Sequence, residues 1–467
     1  MLAIISDLHL CDGTATERNV QPQAFTLALN EIYDQAAPIV AREGSAHIDL
    51  VMLGDVFDLL RTERWFEDDD GQPVPLEGRP WGSADAAGHD YRVPEPVILR
   101  ARAILEKIIQ VNEESLAILN GKGKKDDRIT VRRILLPGNH DRLALHDEAL
   151  YARMRQALGA ADERTLASEG IFPHHLEMRP YGVLARHGHE WDPWNFEAHE
   201  DGRDPTTYSD HEYLGAPIGD PITTELAARL PYEMKRRLAR EPGLTDEDRL
   251  LVYRRMQRIE DVRPLFASLQ WAYVEASKMP DTLGETKGRL VHDAAREVLQ
   301  ALVAGFRKLD FYSAWIHRHH RFFSFGPPDQ LAAALRAVEL VTPDTLGRLA
   351  ETFGKALDGA TEQDPYRAAA GTEQLAPVGA QGLRFVVYGH THDPVQAALA
   401  AGATQDLYLN SGTFRQRVFR TDDKQGFVGS EHISYLCFFR DDEASTWRRP
   451  GDDAGPAYQA WMGARSR

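Results

Sequence analysis

The chain has 467 residues, 43% hydrophobic and 27% charged, the mix of an ordinary soluble globular protein. A net charge of −17 argues against a broad electrostatic footprint for nucleic acid, and two cysteines, Cys11 and Cys437, exclude a disulfide framework. No apolar run approaches the ~20 residues of a membrane span, and the opening MLAIISDLHL lacks the basic start of a secretory leader, so a cytoplasmic protein without a transmembrane segment is expected.

In chain order, short apolar runs stopped by polar motifs predict buried strands. They are Leu2 to Ile5, Asp49 to Leu53, Arg133 to Leu136, Tyr181 to Ala185, Phe385 to Tyr388 and Leu407 to Leu409. Helical periodicity lies between them. Ala24 to Val40 is one helix, and Pro96 to Asn120 another, with Ile104, Leu105, Ile108 and Ile109 on one face and Gly121 just past its end. The alternation predicts an α/β domain whose functional loops follow the strand C-termini. Residues 61 to 96, rich in Pro, Gly and acid including Asp68, Asp69 and Asp70, read as a long loop at the rim of the site. Residues 196 to 380 are mostly helical in pattern, at Thr223 to Arg240, Val262 to Met279, Thr286 to Phe311 and Leu331 to Leu340. The expected organisation is a discontinuous catalytic domain, 1–195 and 381–440, with 196–380 inserted as a helical cap and 441–467 as a loose polar tail.

Five motifs occur in order. SDLH carries Asp7 and His9, GDVFD carries Asp55 and Asp58, GNHD carries Asn139, His140 and Asp141, HGH carries His187 and His189, and GHTH carries His390 and His392. Ligands at i and i+2 after a strand point the same way along the pleat, so Asp7 and His9 can share one ion. Gly54 lets the chain turn tightly before Asp55. Asn139 offers a neutral oxygen ligand. Mixed imidazole and carboxylate suit Mn, Fe, Zn or Ni better than Ca. Each motif alone is a common turn or surface pattern; all five after strand-like runs point to a binuclear metal site.

On these residues the sequence resembles the calcineurin-like metallophosphoesterase superfamily, over about 1–195 and 381–440. The resemblance implies a four-layer α/β/β/α sandwich of two mixed sheets. It implies hydrolysis of phosphate esters, as a phosphodiesterase or phosphomonoesterase, by a hydroxide between two divalent ions, manganese fitting best and Fe, Zn or Ni serving as alternatives. Asp7, His9 and His392 would bind one ion, Asn139, His187 and His390 the other, and Asp55 both. His140 would protonate the leaving oxygen, oriented by Asp58. His189 would be a second contact around metal or substrate. Two departures matter. Asp58 stands where purple acid phosphatases have a Tyr ligand, and Leu59 stands where protein phosphatases have Arg.

Arg142 reads either as a phosphate grip or as an ion-pair partner of Asp141 or Asp147. Asn410 to Thr413 reads as a turn that buttresses the ligand loops. Trp191 to Trp194 lines the pocket mouth or packs at the insertion boundary. Tyr312, Trp315 and the run His317 to Phe323 read as a stacking platform, a lipid-docking surface, or a cap helix packing its aromatics inward. The partner is a phosphate-ester substrate, with a nuclease acting on DNA or RNA and a non-catalytic metal-binding scaffold as alternatives. The oligomeric state stays open.

Overall fold

The computed structural model describes residues 1–16, 19–81, 93–124, 126–160, 173–263, 267–319, 326–339, 365–375, 383–399, 406–421, 426–444 and 455–466. Its twelve strands are β1 (Leu2–Ile5), β2 (Ala46–Leu53), β3 (Ile129–Leu136), β4 (His175–Met178), β5 (Val183–Arg186), β6 (Val262–Arg263), β7 (Phe385–Tyr388), β8 (Val395–Ala398), β9 (Leu407–Asn410), β10 (Gln416–Arg420), β11 (Phe427–Phe439) and β12 (Ala457–Ser466). They form two mixed sheets. In one, β1, β2 and β3 run parallel, and β1 pairs antiparallel with β11. In the other the order is β4-β5-β7-β9-β8, with β5, β7 and β9 parallel.

The six expected strands all form, because each is an apolar run long enough to be buried. Several of the others escape an apolar-run reading because they are half exposed; Val395–Ala398 alternates between partly buried and exposed residues, whereas the buried run 435–439 of β11 is open to that reading and is a strand the expectation omits. Residues 457–466 correct the expectation of a loose tail. This strand pairs with β11 from Ser430↔Ser466 to Phe439↔Ala457, and Trp461 stacks on Tyr435 at 5.4 Å. Tyr458 and Trp461, three residues apart, pack on opposite faces of the sheet and anchor the strand.

The helices follow periodicity with several corrections, among them Thr286 to Phe311, which divides into Glu285–Phe306 and Asp310–His319. The expected helix over 96–120 is split into Glu95–Val111 and Glu113–Leu119. At the break, Asn112 Nδ2 donates to Cys11 O and Ile108 O at 2.9 and 2.8 Å, a side-chain competition with the helical ladder. Val262 and Arg263, expected in a helix, pair parallel with Val418 and Phe419 of β10. The helix over 223–240 begins as a seven-residue π-helical stretch, Ile222–Ala228.

Side chains alternate between two cores. Leu2, Ile4, Val51, Leu53, Ile134 and Leu136 pack with Val183, Ala185, Phe385 and Val387 of the second sheet. The opposite face of the first sheet, through Ala3, Ile5, Leu50 and Met52, packs on Phe25, Leu29 and Ile32 of the helix Pro22–Glu43 and on Ile104 and Ile108. On the second sheet, Val386, Tyr388 and Tyr408 pack on Ala369 and Ala370 of the helix Pro365–Leu375. A separate cluster gathers Leu230, Met234, Val252, Trp271, Val291 and Val303 from residues 218–339. Phe311, Tyr312 and Trp315 are buried in it, and Trp315 lies 5.8 Å from Trp194. The rest of that aromatic run, His320 to Phe323, lies outside the described residues. Among the described residues no helix is long and apolar enough to cross a membrane.

Candidate metal centre

All five motifs sit at the C-terminal ends of parallel strands: SDLH after β1, GDVFD after β2, GNHD after β3, HGH after β5 and GHTH after β7. The two sheets therefore bring their strand ends to one place.

The backbone there is strained. Among the described residues, those other than glycine with positive φ are Asp7 (53°), His9 (42°), Asp55 (52°), His390 (65°) and His392 (61°). A left-handed L-residue costs ~1–2 kcal/mol, so the fold must hold each one in place. Asp7 N–H donates to Gly54 O at 3.1 Å, and His9 N–H to Asp55 O at 2.9 Å. His390 N–H donates to Asp7 Oδ2 at 3.0 Å. The turn Asn410 to Thr413 braces both ligand loops: Thr413 Oγ1 donates to Asp7 O, and Asn410 Nδ2 to Gly389 O, each at 2.7 Å. The pleat explanation for Asp7 and His9 is thereby corrected. Left-handed turns, not strand alternation, aim the two side chains together.

Two ligand groups result. Around the first, His392 Nε2 lies 3.3 Å from Asp7 Oδ1 and 3.0 Å from His9 Nε2. Around the second, Asn139 Oδ1 lies 3.2 Å from His187 Nε2 and 3.1 Å from His390 Nδ1. Asp55 Oδ2 stands between them, 3.5 Å from His9 Nε2 and 3.3 Å from His187 Nε2. Asp7, His9 and His392, and likewise Asp55, His187 and His390, converge closely enough to hold a metal ion.

Each ring is oriented from behind. His187 Nδ1 bonds Leu53 O at 2.9 Å, which turns Nε2 inward. His9 Nδ1 bonds Asp58 Oδ2 at 2.7 Å, and His390 Nε2 bonds Asp192 Oδ2 at 3.0 Å. Asp58 uses its other oxygen, Oδ1, to hold His140 Nδ1 at 3.0 Å. One carboxylate thus positions both a ligand histidine and His140. The family resemblance implies the second contact only.

Electrostatics separate the histidines. Burial and the Arg61 charge hold His9 well below its ordinary value, and burial and Arg263 do the same to His392. Both rings are neutral donors of lone pairs. Burial opposes the charged form of His187, but the Asp55 and Asp7 carboxylates hold it up at about 10. Burial also opposes charge on His140, and Asp58 and Asp55 outweigh it, so its value is raised. Burial pushes Asp7 up to about 6. Asp141, pushed to about 7 by burial and Asp55, accepts from Asp55 N–H and Gly138 N–H at 2.8 and 3.0 Å and ties two ligand loops together.

Two expected substrate contacts face elsewhere. Arg142 is buried and its donors are engaged: Nε and Nη2 bond Asp220 Oδ2 at 2.9 and 2.7 Å, Nη1 bonds Leu214 O at 3.0 Å, and Nη2 bonds Pro80 O at 2.8 Å. It is a strut, paired with Asp220 instead of Asp141 or Asp147. His189 packs behind the ligands, its ring 5.4 Å from His187 and 5.6 Å from Phe196. A cavity of about 520 Å³ opens over the centre, lined by Asp55, Asn139, His140, His390 and His392 but by neither of those two. Its wall adds Arg61, Asp192, Trp194, Arg263, Tyr366 and Arg417. Of these, the Trp191 to Trp194 motif had pointed to the mouth. The arginines have no sequence signal, because each comes from a different segment.

Gly54 has a φ of +81°, and a Cβ there would overlap the His187 ring and approach Gly138 Cα to 2.9 Å. Gly54→Ala is expected to cost about 2–4 kcal/mol, adding left-handed strain to overpacking. Urea denaturation checks this: the midpoint should fall with the slope unchanged. No protein-family model and no curated protein matches the chain.

Proposed function

We propose that this chain is a metal-dependent hydrolase of phosphate esters, built as a calcineurin-like metallophosphoesterase: a four-layer α/β/β/α sandwich with residues 196–380 inserted as a helical cap. The layer reading is supported by the apolar cluster between the sheets and by helices packed on their outer faces. The observation that carries the function is the placing of Asp55 Oδ2 between His9 and His187, with oxygen and nitrogen atoms of six other residues converging around it.

The donor set fits two divalent cations. Asp7 Oδ1 is buried without a hydrogen-bond partner, and two neutral imidazoles face each other at 3.0 Å. Asp7, His9 and His392 would hold one ion, Asn139, His187 and His390 the other, and Asp55 both. Manganese suits this set best, with iron, zinc or nickel close behind. When bound, two such ions supply Lewis acidity, lowering the pKa of a water and offsetting charge on the phosphoryl oxygens.

The chain's own residues do the rest. His140 lines the cavity beside Asp55 and Asn139, and the Asp58 and Asp55 carboxylates, outweighing burial, favour a proton on its ring. It delivers that proton to the leaving oxygen, and Asp58 keeps its ring aimed. The bounded cavity and the net charge of −17 favour a small or medium ester over a nucleic-acid polymer.

The test is a panel of nitrophenyl phosphate, bis-nitrophenyl phosphate, single-stranded DNA and RNA with the manganese-loaded protein. Turnover of a nitrophenyl ester, lost with EDTA and restored by manganese, is expected. Protein that binds two ions yet turns over no member of the panel sinks the proposal and favours a scaffold role.

A further inference from the structure

The wall of the cavity beside His392 carries more positive charge than one phosphoryl group requires. Arg61 follows GDVFD, Arg263 lies on β6 and Arg417 on β10, and all three line the same space.

The pairing of these cations is incomplete. Arg61 is 2% exposed; its Nε lies 3.0 Å from Asp58 Oδ2 and 3.1 Å from Glu260 Oε2, while its Nη1 is buried without a hydrogen-bond partner. Arg417 is 6% exposed; its Nη1 reaches Asp393 at 2.6 Å, and its Nε has no partner. Arg263 donates to Glu260 O and Val262 O at 2.9 and 3.0 Å and reaches His392 Nδ1 at 3.3 Å. No carboxylate lies within ion-pair distance of it among the described residues. The nearby Asp261 is engaged by Arg415 at 2.7 Å. Arg61 and Arg417 keep carboxylate partners, whereas the partly buried Arg263 lines the cavity with no such partner among the described residues, so an incoming anion would supply its counter-ion. Guanidinium forks match the geometry of oxyanions, phosphate and carboxylate alike.

We propose that Arg263 and Arg417, with Arg61 beside them, form a subsite for a second oxyanion group of the substrate. This rests on the phosphoesterase reading and narrows it: the substrate is an organic phosphate carrying a further phosphate or carboxylate near the scissile phosphoryl group. Arg263 and Arg417 are specificity-determining contacts, arriving from β6 within residues 196–380 and from β10.

Binding to metal-free protein in EDTA tests the subsite without relying on turnover. Calorimetric titration compares methylphosphonate with methylenediphosphonate, the phosphate arm, and phosphonoacetate, the carboxylate arm. At least one doubly anionic probe should bind at least about tenfold tighter than methylphosphonate. Arg417→Gln and Arg263→Gln should bring that ratio to within about threefold of one, while Arg263→Lys keeps part of it. The arm that shows the preference names the second group. Equal affinity of all three probes for the unmodified protein overturns the proposal, as does a preference that survives both glutamine variants. The ratio is read within each variant, and the variants' thermal melts confirm that they are folded. Absence of ester turnover in the panel above, with the ratio intact, would instead count against the hydrolase reading alone.

Discussion

Asp55→Ala should strip the protein of both metal ions, not one. Asp55 Oδ2 lies 3.5 Å from His9 Nε2 and 3.3 Å from His187 Nε2, and among the described residues no other carboxylate is within ion-pair distance of both rings. Its partner Oδ1 accepts from His140 N–H at 2.9 Å, so the same side chain also seats the GNHD loop. Removing it leaves the His187 imidazole without its nearest carboxylate and frees the loop that carries Asn139. Metal analysis after dialysis should fall from about two ions per chain to well below one, and ester turnover should fall by at least about 10³-fold. Two ions retained through dialysis would contradict the bridging role. With the bridging carboxylate gone, the thermal midpoint should also lose its response to added manganese.

His140→Ala should behave in the opposite way. His140 contributes no side-chain atom to either ligand group; its Nδ1 is committed to Asp58. Metal content is expected to stay at the unmodified level while kcat falls about 10²–10⁴-fold, the usual share of a positioned general acid. Activity equal to the unmodified protein would end the assignment. The loss should shrink for esters with good leaving groups such as nitrophenolate, since those depart without a proton. Asp58 is a poor substitute for this test. It also holds His9 Nδ1 at 2.7 Å, so its removal would disturb a metal ligand and the acid together.

The separation of acid from ligand follows from charge placement. His9 and His140 share Asp58 and lie 4.7 Å apart between ring centroids, yet one is held well below the ordinary imidazole value and the other is raised above it. Burial opposes the charged form of both. What differs is the company: the Arg61 charge weighs more on His9, and the Asp58 and Asp55 carboxylates weigh more on His140. A lone-pair donor and a proton donor thus stand side by side on one carboxylate.

Much of this was legible before any coordinates. Apolar runs such as Leu2 to Ile5 and Phe385 to Tyr388 identify themselves as buried strands, and a polar motif directly after each must sit at its C-terminal end. That is local information, and it sufficed to list the converging residues from Asp7 to His392. Strands with mixed exposure, such as Val395–Ala398 and Ala457–Ser466, carry too little apolar contrast to be read that way.

The sequence by itself determined which residue types gather at the strand ends and in what order. Only the tertiary structure decided how they are used. Arg142 follows GNHD directly, yet Asp220, far along the chain, claims it; His189 lies beside a ligand, yet packs behind it. Arg263 and Arg417 belong to no motif, yet reach the cavity because β6 pairs with β10. The physical reason is the same in each case. A charged or hydrogen-bonding side chain is committed by the partner nearest in space, and residues separated by tens to hundreds of positions leave no local pattern that names that partner.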